Sequence, residues 1–548
     1  MKASDLFVKC LENEGVERIF GLPGEENADL MMSLKGSSID FVLCRHEQAA
    51  AFMADVTGRL TGQAGVCLGT LGPGATNLVT GVADANLDHS PMVVITGQAD
   101  TTRQHKESHQ NIDIVDMFEP LTKWARQVMQ PDSIPEMVRK AFKLAQMEKP
   151  GACHLQLPED IASQETDAQP LPFHKLRRPA PDEKIIDQAV ALIEAAEAPV
   201  ILAGNGAIRK RAAHQLRRFC RLTGIPAMNT FMVKGALSRT DERCLFTVGL
   251  QSRDYTSEAL HRADLVIAIG YDLVEYPPHV WNHGRPKKIL YLDFLPAEVD
   301  RDYPVEVEMN ADIANALWQL NERFAGGPPR FDPAAFADVR EALQGDFGEY
   351  RNDDAVGLLK PQKVLWDVRQ FMGPADIVLS DVGAHKMWIG RYYQCEEPNT
   401  CLISNGFCSM SFAMPGAMAA KIAFPERRVL AICGDGGALM NIQDLETAKR
   451  RGLNVVLMIW IDNAYGLIKW KQQNHFGDHT DLSFENPDWE LLARAFGCQG
   501  FYVERSADLM GVLEQAFAAE TPAIIALPID YRENLKLSER LGKIECTI

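Results

Sequence analysis

The apolar positions cluster in short runs rich in branched residues, separated by longer stretches in which apolar residues recur at helical spacing. The runs at 429–433 and 454–461 read as buried parallel strands. Between them, 439–451 reads as a crossover helix, its apolar positions broken by Gln443, Asp444, Glu446 and Lys449. The same alternation fills the first part of the chain, with strands expected at 18–22, 40–44, 65–70, 91–96, 123–128 and 152–157 and helices at 47–61 and 75–87. A middle block carries strands at 200–203, 264–269 and 288–294, and a last strand is expected at 522–529. Alternating strands and helices give parallel sheets covered on both faces, so the fold class is α/β, as three doubly wound units. Pro170, Pro172, Pro179 and Pro181 mark the first linker, and Gly326, Gly327, Pro328 and Pro329 the second. The expected domains are 1–170, 183–330 and 355–535, followed by a charged surface tail that begins near Tyr531 and includes 536–548.

A chain of 548 residues is long enough for about three domains with cores of their own. Apolar residues make up 46% and charged residues 24%, an ordinary globular balance. The net charge of −18 argues against a nucleic-acid binder. Twelve cysteines occur without a Cys-x-x-Cys pair, which disfavours a zinc site or a disulfide framework. The first fifteen residues form an acid-containing amphipathic pattern unlike a signal peptide, and no apolar run approaches eighteen residues. A soluble protein of a reducing compartment, the cytoplasm, is expected.

Two groups of polar residues fall where strands end. Gly434, Asp435, Gly436 and Gly437 follow the 429–433 strand, and Asp462 and Asn463 follow 454–461. Open α/β sheets bind ligands at the carboxyl ends of their strands. A glycine-rich turn does not obstruct a diphosphate, and the helix that follows favours anions. Asp435 and Asn463 supply two hard oxygens of the kind Mg²⁺ shares with substrate phosphates. In the first block Arg45, His46 and Glu47 lie where a strand gives way to a helix whose next face, Ala50, Ala51, Phe52 and Ala54, is small and apolar. Burial there disfavours the charged form of a carboxylate and suits it to hold or pass a proton. The alternative is an acid that complements the helix dipole. Gly72, Pro73, Gly74, Ala75, Thr76 and Asn77 form a second glycine-proline turn opening a helix.

Together these motifs resemble the thiamine diphosphate (ThDP)-dependent 2-keto acid enzymes, whose fingerprint is Gly-Asp-Gly followed some two dozen residues later by Asn-Asn. Here Asp462 replaces the first Asn, and Asn463 keeps the second, the metal ligand in that family. Segments around Phe20–Gly24, Arg45–Glu47, Gly72–Asn77, His109–Gln110, Thr122–Trp124, Ser380–Gly383 and Ser404–Met410 are similar to the acetolactate synthase branch, and the match spans essentially the whole chain. The resemblance implies pyrimidine-binding, middle and diphosphate-binding domains in that order. It implies that Glu47 hydrogen-bonds the pyrimidine N1′, that Met410 is an apolar wedge bending the cofactor, and that the Cys408 carbonyl accepts from the 4′-amino group. It further implies that Asp435, Asn463 and the Tyr465 carbonyl hold Mg²⁺. Gly434, Gly436, Gly437, Ala384 and His385 would line the diphosphate, Pro73 and Asn77 would belong to the cofactor site, and Gln110 would face the substrate. For Met410 plain core filling is the alternative.

The implied reaction is decarboxylation of pyruvate and joining of the two-carbon fragment to a second 2-keto acid, giving 2-acetolactate. Decarboxylases of the superfamily commonly carry an adjacent His-His pair, whereas His105 and His109 are separated here, which favours ligation. Relatives that ligate glyoxylate lack the Glu kept at Glu47. The segment Tyr271-Asp272-Leu273-Val274-Glu275 stands where flavin-binding relatives place two arginines, so FAD is not expected and the flavin-independent catabolic type is the nearer likeness. A homodimer or homotetramer with sites between subunits is implied. Other readings are a ThDP carboligase or decarboxylase for a different 2-keto acid, or a non-catalytic ThDP-binding paralogue. A nicotinamide oxidoreductase is disfavoured, because Gly204-Asn205-Gly206 is followed by Arg209 where the fingerprint needs glycine. Trp470 is open between acceptor pocket and core.

Overall fold

The computed structural model describes residues 1–548 except 175, 176, 210, 251–254, 285, 535, 536 and 538–548. It contains three six-stranded sheets whose named strands all pair in parallel. The first holds β1 (Arg18–Gly21), β2 (Asp40–Leu43), β3 (Gly65–Gly69), β4 (Met92–Gln98), β5 (Trp124–Gln127) and β6 (Ala152–Pro158) in the order β2-β1-β3-β4-β6-β5. The second holds β7 (Pro199–Ala203), β8 (Ala227–Asn229), β9 (Cys244–Thr247), β10 (Leu265–Ile269), β11 (Lys288–Asp293) and β12 (Val305–Asn310) in the order β12-β11-β10-β7-β8-β9. The third holds β13 (Ile377–Ser380), β14 (Cys401–Ile403), β15 (Val429–Gly434), β16 (Val456–Ile461), β17 (Gln499–Tyr502) and β18 (Ala523–Pro528) in the order β14-β13-β15-β16-β18-β17. Strand order reverses between β1 and β3, β7 and β10, and β13 and β15, which opens a crevice at the carboxyl end of each sheet.

The first and third units share one core. Helix Glu47–Thr61 is buried along Ala49–Val56, and its Phe52 meets Phe412 edge to face at 5.8 Å. A Cβ at Gly81 of helix Pro73–Leu87 would lie 2.5 Å from Ala51 Cβ, so glycine there lets the two helices touch. The Arg45 amide donates to Asp444 Oδ1 across the two units at 2.8 Å.

The structure departs from the sequence reading in three places. The crossover expected over 439–451 is broken into a short helix Asp435–Ala438, a 3₁₀ turn Ile442–Asp444 and a helix Leu445–Arg450. Helix thus begins on Asp435, and Asn441, with φ −131° and ψ 19°, interrupts it. Six strands were not expected from the sequence: β8 and β14 have only three residues, β12 is largely half-exposed, and β9, β13 and β17 have four each. The segment from Tyr531 does not start on the surface either. Glu533 and Asn534 are buried, Gln362 Nε2 donating to Glu533 Oε2 at 2.9 Å and Trp388 Nε1 to Asn534 Oδ1 at 2.7 Å. Apart from the buried Leu537, the expected tail over 536–548 lies outside the described residues.

Candidate active site

At the carboxyl ends of β13, β15 and β16 lies a cavity of about 180 Å³, lined only by residues of the third unit. Ala384, His385, Cys408, Met410, Gly434, Asp435, Gly436, Gly437 and Tyr465 all line it, joined by Asp462 and Tyr531. These nine and Asp462, all singled out in the sequence, therefore meet around one space. The glycines are there for room: a Cβ at Gly436 would lie 2.9 Å from Tyr465 Cε1, and one at Gly437 would lie 2.7 Å from Asp381 Oδ2. His385 is fully buried and its ring is pushed down to about 3 by desolvation, so the imidazole is neutral. Its Nε2 has no hydrogen-bond partner among the described residues.

Asp435 organises the metal-type oxygens. Its Oδ1 accepts from the Gly436 amide at 2.9 Å, while Oδ2 accepts from the Asp462 and Asn463 amides at 3.1 and 2.7 Å. Asn463 sits in the left-handed region at φ 54°, and its Oδ1 accepts from Asn486 Nδ2 at 2.8 Å. The Tyr465 carbonyl accepts from the Ile468 and Lys469 amides as helix Gly466–Phe476 begins, so both its lone pairs are engaged and a cation would share one of them. Burial, and then the Asp435 carboxylate, push Asp462 up to about 7, well above the usual carboxylate range, at the position where the family pattern has an amide. These groups fit a hard cation bound to a diphosphate: a carboxylate, an amide carbonyl, a main-chain carbonyl, an orphaned buried imidazole nitrogen and a turn stripped of side chains.

A second cluster lies in the first unit. Glu47, at the start of its helix, is buried, and its Oε2 accepts from Asn77 Nδ2 at 2.9 Å. Pro73 opens the Asn77 helix, and a Cβ at Gly74 would come within 3.4 Å of Glu47 Oε1. Gly72, at φ 51°, backs onto Gln110, whose φ is 55° and whose side chain is exposed. His105 and His109 are exposed on the same loop. Neither Glu47 nor Asn77 lines the third unit's cavity. Trp470 is buried and does not line it either; helix Gly466–Phe476 contributes Gly466, Leu467 and Ile468.

The two units are nonetheless tied together. Asp84 Oδ1 accepts from Ser404 Oγ at 2.6 Å and from the Ser409 amide at 3.3 Å, and Asp88 Oδ1 accepts from the Gly406 amide at 2.6 Å. The loop carrying Cys408 and Met410 is thus fastened to the helix that carries Asn77. These tethers are invisible in sequence, being more than 300 positions apart. Asn486, 51 positions from Asp435 and 23 from Asn463, bonds both from a turn that reads as an ordinary Asn-Pro helix lead-in.

Comparison with known proteins returns three family models that follow one another along the chain. They are the thiamine pyrophosphate enzyme N-terminal TPP binding domain over residues 1–117, the central domain over 186–320 and the C-terminal TPP binding domain over 381–527. Among similar curated proteins are an acetolactate synthase of Bacillus subtilis, 32% identical over 99% of this chain and 96% of that protein, and a catabolic acetolactate synthase of Raoultella terrigena, 34% identical over 98% and 97%. A probable acetolactate synthase large subunit of Methanocaldococcus jannaschii is 32% identical over 99% and 94%.

Proposed function

The chain belongs to the thiamine pyrophosphate enzymes, on their acetolactate synthase branch, and from that premise we propose that it decarboxylates pyruvate and joins the two-carbon fragment to a second 2-keto acid, giving 2-acetolactate. The observation that carries this reading is the single cavity in which Met410, His385, the Gly436–Gly437 turn and Asp435 converge. When bound, ThDP supplies the carbon nucleophile and the electron sink. The chain supplies position and protons. Units 1–170, 183–330 and 355–535 act as pyrimidine-binding, middle and diphosphate-binding domains. Asp435, Asn463 and the Tyr465 carbonyl hold Mg²⁺. Gly434, Gly436, Gly437, Ala384 and the neutral His385 would receive the diphosphate, Met410 would be the apolar contact beside the rings, and the Cys408 carbonyl would accept from the amino group. Glu47, oriented by Asn77 beside Pro73, exchanges a proton at N1′, and Gln110 faces the 2-keto acid.

Ligation is favoured over aldehyde release because His105 and His109 are separate, exposed loop side chains and not an adjacent pair. Independence from FAD is supported by the crevice between β7 and β10. There the Glu275 carboxyl lies across the turn after β7, accepting from the Asn205 amide at 2.9 Å and the Asp272 amide at 3.3 Å. Burial, then the Asp272 carboxylate, push Glu275 up to about 8, while Asp272 itself, against the effect of burial, is held below its usual range by His89, Lys149 and Arg209, so a flavin diphosphate would meet a standing carboxylate charge at this turn. Tyr271, Tyr276 and Trp281 are buried around it.

Among the described residues no helix is long and apolar enough to cross a membrane. The free cysteines there, all but Cys408 buried, suit a reducing cytoplasm. The test is the product formed from pyruvate with ThDP and Mg²⁺ alone. Acetolactate from a colourless protein is expected. Acetaldehyde as the main product, or activity that returns only with FAD, overturns the reading.

A further inference from the structure

We propose that Asn486 is a positioning residue of the metal centre: its amide presets the two side-chain ligands Asp435 and Asn463 before the cation arrives. The inference rests on the reading of those two residues as Mg²⁺ ligands. Asn486 Nδ2 lies 2.8 Å from Asp435 Oδ2 and 2.8 Å from Asn463 Oδ1. Both of those atoms are pure acceptors, so the amide nitrogen faces them and spends one hydrogen on each. Asp435 is nearly fully buried and already fixed by main-chain amides, but Asn463 is exposed on a left-handed turn. Asn486 is what holds its carbonyl beside the carboxylate.

The strand of chain that delivers Asn486 is itself anchored. The Phe484 amide donates to the Asn463 carbonyl at 3.0 Å, the Tyr465 amide to the Leu482 carbonyl at 3.1 Å, and Ala464 and Ser483 form an antiparallel bridge. Beyond it, Asp488 caps helix Trp489–Ala495 by accepting from the Leu491 amide at 2.9 Å. The segment 482–488 is therefore a strap laid across the ligand loop, with its amide at the junction of the two oxygens.

The other end of the same side chain points to a ligand. Asn486 Oδ1 is buried and has no hydrogen-bond partner among the described residues. A buried acceptor left unpaired costs free energy, and a water held by the cation would satisfy it. Mg²⁺ binds only a few protein oxygens and keeps several waters, so a water to share is expected.

The experiment titrates Mg²⁺ into the full-length protein at saturating ThDP by calorimetry, beside the melting temperature without metal. Outer partners of metal ligands are worth roughly 10–100-fold in metal affinity. Asn486→Ala is expected to weaken Mg²⁺ by that factor, with the metal-free melting temperature close to wild type and turnover recovering at high Mg²⁺. Asn486→Ser, which keeps a short donor, is expected to recover part of the affinity, and it is read by the same criterion if the alanine variant fails to fold. Mg²⁺ affinity within about twofold of wild type in a folded variant overturns the proposal, as does lost turnover that high Mg²⁺ does not restore. Asp435→Ala is the control. If it keeps Mg²⁺ affinity, the ligand assignment itself fails; if it loses affinity while the Asn486 variants do not, only the role of Asn486 fails.

Discussion

Glu47 shows how little a single side chain needs in order to act, provided its neighbours are arranged. Its helix begins there because His46 caps it, the ring Nδ1 accepting from the Gln48 amide at 3.1 Å. One carboxylate oxygen is committed to Asn77, and the missing Cβ at Gly74 keeps the side of the other open. Glu47→Gln preserves shape and can still accept from Asn77 through its amide oxygen, so fold and ThDP binding should survive. Turnover should fall by roughly 10²–10⁴-fold, the usual worth of a positioned acid-base group. Hydrogen–deuterium exchange at the cofactor's reactive carbon, followed by NMR, checks this; exchange as fast as in wild type would falsify the assignment.

At the scale of elements, the two helices that carry Glu47 and Asn77 are coupled by buried acids further along. Asp55 lies two turns beyond Glu47, Asp84 two turns beyond Asn77, and Asp88 one turn further, with only Arg59 to balance them locally. Desolvation is the main cause that pushes Asp55 up to about 6, Asp84 to about 7 and Asp88 to about 6, with repulsion among the acids adding to it. These acids lose protons at a higher pH in the folded state than in the unfolded chain. Between the unfolded carboxylate range and about pH 7 the folded state therefore binds more protons, and stability falls as pH rises through that window. Asp55→Asn removes one of the buried charges and offers a donor to its acidic neighbour. Its melting temperature should exceed wild type by a few degrees at pH 8 and differ little at pH 5. Equal shifts at both pH values would show that the gain is packing and not charge.

At the scale of the whole molecule, the residues proposed for one catalytic centre lie in two places. The cavity is lined by the third unit alone, while Glu47 and Asn77 belong to the first. Apolar side chains on the third unit are left open to solvent: Phe407, Met440, Tyr465, Ile468 and Phe476, the last at 74% exposure. Exposed apolar side chains are candidates for burial where subunits meet, provided they are contiguous. A second copy covering this face with its own Glu47 would complete the site, so at least a dimer is expected to be the active species. Sedimentation at assay concentration checks it, and full activity from a monomer of 60.9 kDa would sink it.

The strands β15 and β16 were legible in the sequence because a strand buried on both faces must be apolar throughout, and no other local pattern competes with that. Asp435, Asn463 and the glycines of the turn were legible for a related reason: they follow those strands directly, so local order placed their chemistry at a sheet end. By contrast, β8 and β14 are too short for periodicity, β17 is half-exposed and carries no apolar run, and all three exist because neighbouring strands offer them hydrogen-bond partners. The break at Asn441, the inward path of Glu533 and Asn534, the Asp84 and Asp88 tethers and the Asn486 bridge were decided by tertiary structure alone. Each depends on which atoms meet after the sheets have packed. A polar residue read in isolation carries the same letters whether its partner is water, a neighbouring turn or a carboxylate hundreds of residues away.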